Sequence, residues 1–276
     1  MAAKILVLEG VTKIFNAGTL DEKRALDHID LEVAPGDFIT IIGSNGAGKS
    51  TLLNVIAGTY LPDDGRIIIA HQDVTRAPEY RRARYIARVF QNPTMGTAAD
   101  MTIEENLSIA ELRGKRRGLK WGVTEARRKR YSEILKVLDL GLEDRLKQPV
   151  GLLSGGQRQS MTLLMTTLTL PQLLLLDEHT AALDPRTAAK VIELTETMVT
   201  QHKLTTLMIT HNMNQALRYG NRMIMLHQGR VQIDVQGDEK QRLTVREVID
   251  KFGTTLKDET LLACGPTPSS EQKNSR

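Results

Sequence analysis

Cysteine is almost missing from this chain of 276 residues, which carries a single one at Cys264. A lone cysteine excludes an internal disulfide framework and fits a reducing compartment. Aromatic residues are scarce at 4%, so a base-stacking platform for single-stranded nucleic acid has little to build on. Long apolar runs are also missing. The most apolar stretch, residues 161–176, is interrupted by threonines and by Pro171 and Gln172, short of the ~20 residues of a membrane span. Residues 1–8 lack the apolar region of a signal peptide, and the chain is expected to stay where it is made. No motif occurs twice.

What is present is ordinary for a globular protein: 41% hydrophobic and 25% charged residues. The length suits one large domain with an inserted subdomain and a tail. Net charge is +4, and the basic residues crowd one stretch: Arg113, Lys115, Arg116, Arg117, Lys120, Arg127, Arg128, Lys129 and Arg130. Such a run is either a solvated helix face or a surface near anionic lipid or nucleic acid.

Along the chain, residues 5–9 read as a strand. Ile29, Leu31 and Val33 alternate with Asp30 and Glu32, as on a half-buried antiparallel strand. A Pro35-Gly36-Asp37 turn leads into a buried strand over Phe38–Ile42, which enters a glycine-rich loop; Lys49–Ala57 then reads as a helix closed by Gly58. Residues 67–69 form another strand. From about 95 to 170 the pattern turns helical and polar, with Tyr131, Ile134, Leu135 and Leu138 at helical spacing and Thr124 as an N-cap. Strand–helix alternation then resumes: strand 173–176, helix 186–200 with Asp184 as N-cap and Pro185 at its first position, strand 205–210. Residues 222–235 read as a hairpin turning at Gln228-Gly229, and residues 265–276 have the composition of a disordered tail. Alternating strands and helices imply a parallel sheet covered on both faces.

Three motifs carry chemistry. Gly43-Ser44-Asn45-Gly46-Ala47-Gly48-Lys49-Ser50 is a P-loop pattern between a strand and a helix. Its glycines let backbone N–H groups point at phosphate oxygens, and the helix N-terminus adds partial positive charge. Lys49 would reach the β- and γ-phosphates, and the Ser50 hydroxyl would bind Mg²⁺. Asp177 and Glu178 follow an apolar strand, where strand ends border the ligand crevice of a parallel sheet. Asp177 would sit beside the metal through water, and Glu178 would polarise the attacking water as a general base. In Leu153-Ser154-Gly155-Gly156-Gln157, Ser154 and Gln157 fit a capping box. Capping needs neither glycine, and two glycines at a helix start leave bare N–H groups that a second phosphate could approach.

The order GSNGAGKST (residues 43–51, ending in Thr51), Gln91, LSGGQ, LLLLDE, AALD and His211 resembles the ATP-binding subunits of ABC transporters, over residues 6–235. The resemblance implies an α/β fold: a P-loop NTPase core with a mainly parallel sheet, an antiparallel β subdomain and an inserted α-helical subdomain at about 95–170. It implies an ATP-binding domain over 1–240 and a C-terminal extension over 241–276. Two copies would pack head to tail, with ATP and Mg²⁺ between the P-loop of one and Ser154, Gly155, Gly156 and Gln157 of the other. Gln91 would touch Mg²⁺ and the attacking water and link the helical subdomain to a membrane partner. Asp184 would lie in a loop crossing the dimer interface, His211 would hydrogen-bond the γ-phosphate, and Phe15 would stack on adenine. The expected partners are a multi-span permease, a second copy of the chain and an extracytoplasmic substrate-binding protein. The expected place is the cytoplasmic face of the cell membrane, and no nucleic acid is expected.

The chain departs from the family pattern at His179, where proline usually follows the glutamate, and in the helix after LSGGQ, where the usual arginines and alanines give way to Gln159-Ser160-Met161-Thr162. The Asp-Glu-His-Thr variant is similar to a subgroup serving bacterial importers, some associated with aromatic amino acid uptake. Alternatives share the motifs: an exporter ATPase, or a soluble ABC ATPase acting on DNA or the ribosome. The latter usually carry a long coiled coil or two cassettes, and neither is here. With Glu178 and His211 both present, nothing points to a scaffold without turnover.

Overall fold

The computed structural model describes residues 4–115 and 122–252. Arg116, Arg117, Lys120, Trp121, Cys264 and residues 265–276 lie outside the described residues. In chain order the first elements are β1 (Leu6–Phe15), β2 (Lys23–Val33), β3 (Phe38–Ile42), α1 (Lys49–Ala57), β4 (Asp64–Ile69), β5 (Gln72–Asp73), α2 (Glu79–Arg82) and β6 (Ile86–Val89). A helical stretch follows: α3 (Ile103–Glu111), α4 (Glu125–Leu135) and α5 (Gly155–Thr167). The described residues end with β7 (Leu173–Asp177), α6 (Pro185–His202), β8 (Thr206–Ile209), α7 (Met213–Arg218), β9 (Arg222–His227), β10 (Arg230–Gln236), α8 (Gly237–Arg242) and α9 (Val245–Phe252).

Two sheets result. One is antiparallel, in the order β2-β1-β4-β5. The other has the order β10-β9-β3-β8-β7-β6, parallel from β9 to β6, with β10 antiparallel at one edge. The run Leu173–Leu176 is apolar at every position because β7 is covered on both faces: Leu173 and Leu175 join the core shared with α1 and the antiparallel sheet, while Leu174 and Leu176 join the core under α3, α5 and α6. β2 faces water on one side, and its Ile29, Leu31 and Val33 are buried between exposed Asp30 and Glu32.

Several elements are longer than the sequence pattern suggests. β1 continues past residue 9 to Phe15 because irregularities after Leu8 and Val11 restart its pairing with β2. The short strand β6 and the helix α2 carry no clear periodicity, and only pairing with β7 defines β6. The caps fall where side-chain chemistry puts them: Thr124 accepts from Arg127 N, and Asp184 accepts from Thr187 N ahead of Pro185. Part of the basic stretch is tied down. Arg128 bridges Glu104 of α3 at 2.7 Å and Glu125 at 2.8 Å, and Arg127 and Arg130 both pair with Glu111 of α3. In that part, the run is the charged face of one helix laced to its neighbour.

Candidate active site

β3 delivers the chain into the loop over residues 43–48, and α1 leaves it. Gly48 occupies the N-cap with φ 102° and no side-chain cap, and the first turn of α1 carries no acidic residue. The N–H groups at this helix start therefore meet neither a capping side chain nor a carboxylate of the first turn, which suits an incoming anion. A Cβ on Gly43 would lie 2.3 Å from the Leu226 carbonyl oxygen, and one on Gly48 would lie 2.4 Å from that of Ala25. The glycines thus serve close packing of the loop against β9 and β2 as well as access for phosphate.

The loop floors a cleft of about 410 Å³ lined by Phe15, Lys23, Ala25, Asn45, Gly46, Ala47, Gly48, Lys49, Ser50, Thr51, Gln91 and Glu178. Lys49 Nζ donates to the Gly43 and Ser44 carbonyls at 2.7 and 3.0 Å, so its ammonium is held over the loop. Ser50 Oγ donates to Asp177 Oδ1 at 3.2 Å. Phe15 meets Tyr60 edge to face at 5.3 Å, which fixes its ring at the cleft wall.

At the mouth, Gln91 Nε2 donates to Glu178 Oε2 at 3.4 Å, and His211 Nδ1 lies 4.0 Å from the same oxygen. These side chains come from the ends of three parallel strands, β6, β7 and β8. Glu178 has a left-handed backbone, φ 43°, uncommon outside glycine and frequent where function holds a residue in place.

Ser154 and Gln157 do form the capping box at the start of α5. They, Gly155, Gly156 and Asp184 are not in the lining of the P-loop cleft. A Cβ on Gly156 would lie 2.2 Å from Thr187 Cγ2 on α6, so this glycine makes room for a side chain of the same chain. Gly155 is exposed, and the nearest atom to its Cβ position is Leu183 Cδ2 at 3.5 Å. The hydrogen bonds from Thr187 hold the carboxyl of Asp184 below the usual range.

His179 does not face the cleft. Its ring is 2% exposed, and burial lowers its pKa to about 4, so it is neutral at ordinary pH. Nε2 lies 3.0 Å from Thr195 Oγ1, whose own proton goes to the Val191 carbonyl at 2.8 Å. Nε2 must then carry a hydrogen and donate it.

Two polar residues of the site escaped the sequence reading. Lys23 is exposed on β2 and lines the cleft across from Gly46. Arg88 on β6 reaches Asp177 Oδ2 at 2.9 Å. Neither belongs to a spaced motif. For Arg88 the one available signal was a charged residue inside a strand next to Gln91.

The donors fit Mg²⁺ in kind, since a hydroxyl and a carboxylate are hard oxygen ligands. They are too few by themselves: among the described residues no group of three His, Cys, Asp or Glu side chains is placed to hold a metal ion. Phosphate oxygens of a nucleotide would complete the set. Among the described residues, no helix is long and apolar enough to cross a membrane.

Comparison with known proteins agrees with this geometry. The family model described as ABC transporter matches residues 26–181, more than half of the chain. The tyrosine transport ATP-binding protein of Clostridioides difficile is 44% identical over 248 residues, 90% of this chain and 98% of that protein. The glycine betaine/carnitine/choline transport ATP-binding protein of Bacillus subtilis is 33% identical over 90% of this chain, which spans only 62% of that longer protein. Among solved structures, a dimeric ATP-binding cassette in a post-hydrolysis state with ADP and Pi superposes with a TM-score of 0.71 at 31% identity, covering 84% of this chain and 98% of that one. The chain belongs to the ABC transporter family, as an ATP-binding and ATP-hydrolysing subunit.

Proposed function

We propose that the chain binds Mg·ATP in the P-loop cleft and couples its hydrolysis, in a head-to-tail dimer, to the import of a small solute through a separate membrane permease. The observation that carries this reading is the meeting of Gln91, Glu178 and His211 at the mouth of a P-loop cleft whose lining contains no residue of the LSGGQ motif. A phosphate over one P-loop would find Ser154, Gly155 and Gly156 only on a second copy.

In this reading Lys49 turns from its loop carbonyls to the β- and γ-phosphates, and backbone N–H groups of residues 43–51 hold the remaining oxygens. Bound Mg²⁺ would offset the charge of the transferred phosphoryl group. Ser50, Asp177 and Gln91 are the residues that would hold it. Glu178 accepts a proton from the attacking water, and Gln91 and His211 fix that water and the γ-phosphate. Phe15 presents its ring to adenine, and Asp184 lies at the copy-to-copy interface. The division into an ATP-binding domain over 1–240, with its helical part at 95–170, and an extension from 241 belongs to the same reading.

Import is favoured by the likeness to the methionine import ATP-binding protein of Geobacillus kaustophilus, 34% identical over 82% of this chain, and the likeness to the tyrosine transport ATP-binding protein makes an amino acid the proposed cargo. The complete system would then include an extracytoplasmic binding protein, with this chain at the cytoplasmic face of the membrane. The test is purification of the tagged chain from detergent-solubilised membranes of its native cell, followed by reconstitution of what comes with it. The expected result is a multi-span permease that takes up solute when ATP is supplied on this chain's side. ATP-driven movement in the opposite sense would make it an exporter subunit, and recovery of only soluble or ribosomal partners would overturn the transport reading.

A further inference from the structure

The guanidinium of Arg88 is a largely enclosed cation that the hydrolysis scheme does not use. It is 11% exposed beside Asp177 at 10%. Nη2 donates to Asp177 Oδ2 at 2.9 Å, and Nη1 donates to Asn54 Oδ1 of α1 at 2.7 Å. The Cζ stands 4.6 Å from the centre of the Phe90 ring, next to Gln91. Nε is buried with no hydrogen-bond partner. The side chain is therefore set by its contacts to Asp177 and Asn54 and by the ring, at the expense of one donor.

The other oxygen of Asp177 accepts from Ser50. Asp177 thus enters the reaction with both oxygens engaged and its charge matched by a fixed cation. An unpaired carboxylate attracts a divalent ion, though only weakly where few other ligands stand beside it, and a cation fixed next to it weakens that attraction further. Here the nearest fixed charges cancel, and the neighbourhood offers no set of three acidic, histidine or cysteine ligands among the described residues.

We propose that Arg88 is a positioning residue that holds Asp177 neutralised, so that a divalent cation enters the site only together with nucleotide phosphate. This rests on the reading of Ser50 and Asp177 as the metal side of the cleft. The arrangement makes Mg²⁺ binding and ATP binding one event. It also ties the metal side to α1 through Asn54 and to the segment bearing Gln91 through Phe90.

The test uses Mn²⁺, visible by electron paramagnetic resonance, titrated into the full-length chain without nucleotide. Replacing Arg88 by methionine should tighten Mn²⁺ binding about tenfold or more, because a neighbouring unit charge is worth at least that factor in a partly buried site. Adding Asp177→Asn to that variant should abolish the gain, and Arg88→Lys, which keeps the charge, should stay within about twofold of the wild type. A merely structural arginine predicts loss of affinity or none, so an Arg88→Met variant that folds and binds Mn²⁺ no better than the wild type would overturn the proposal. Should that variant fold poorly, Arg88→Gln, which keeps an amide donor without the charge, carries the same test. A control separates the two readings. In the presence of ATP, Asp177→Asn should weaken Mn²⁺ binding; if it does not, the assignment of the metal side fails, and the role of Arg88 fails with it.

Discussion

Glu178 stands at φ 43° directly after the last residue of β7, with Gln91 and His211 both directed at one of its oxygens. Changing it to glutamine keeps the shape and removes the base. Hydrolysis should fall by roughly 10²-fold or more while ATP still binds, read by steady-state phosphate release beside equilibrium nucleotide binding. Full turnover by that variant would remove Glu178 from the mechanism. Lys49→Ala acts earlier, since it deletes a charge-assisted contact to phosphate worth about 1.5–3 kcal/mol. ATP affinity should drop about ten- to a hundredfold, and unchanged affinity by calorimetry would count against the reading of the loop. His179 belongs to the residue scale too, but as structure: it donates to Thr195 from a fully buried ring. Thr195→Val strands that N–H, and unfolding in urea should show a loss of about 1–3 kcal/mol. A variant as stable as the wild type would mean that the hydrogen bond contributes nothing.

The helices explain what the motif spacing left open. α5 starts with the capping box of Ser154 and Gln157, and a sequence reader can see that. The reason for Gly156 was not visible, because it lies on another element: Thr187, on the first turn of α6, fills the space where a side chain would stand. Gly156→Ala should therefore destabilise the chain by about 1–3 kcal/mol through overpacking. Adding Thr187→Ser, which removes the offending methyl, should recover part of that loss, measured as a double-mutant cycle by thermal unfolding without nucleotide. Additive losses would show that the two residues do not meet. β6 makes the same point for the sheets. Its four residues have no period to detect, yet pairing with β7 makes it the strand that presents Arg88 and leads into Gln91.

At the scale of the molecule, the P-loop cleft and the LSGGQ segment are separate features of one chain. If each site is shared between two copies, a Lys49→Ala chain and a Ser154→Arg chain, each inactive alone, should regain activity when mixed, since one site of the mixed dimer has both halves intact. The expected rate, relative to wild type, is a substantial fraction rather than a trace, measured after proving that the dimers exchange subunits. No recovery with exchange proven would sink the shared site.

The sequence alone was enough for the P-loop, the acidic pair after an apolar strand, the cap residues and the alternation of strands and helices, because each depends on neighbours within a few positions. It was also enough for the family, since six motifs in a fixed order are hard to arrive at by chance. Tertiary structure decided what depends on residues far apart in the chain. It brought Gln91, Glu178 and His211 to one oxygen from three strands. It turned His179 away from the reaction into the core, and it set a largely enclosed arginine against Asp177. The physical reason is range: local hydrogen bonds and periodic burial are written along the chain, whereas charge pairing and close packing are settled only where distant segments meet.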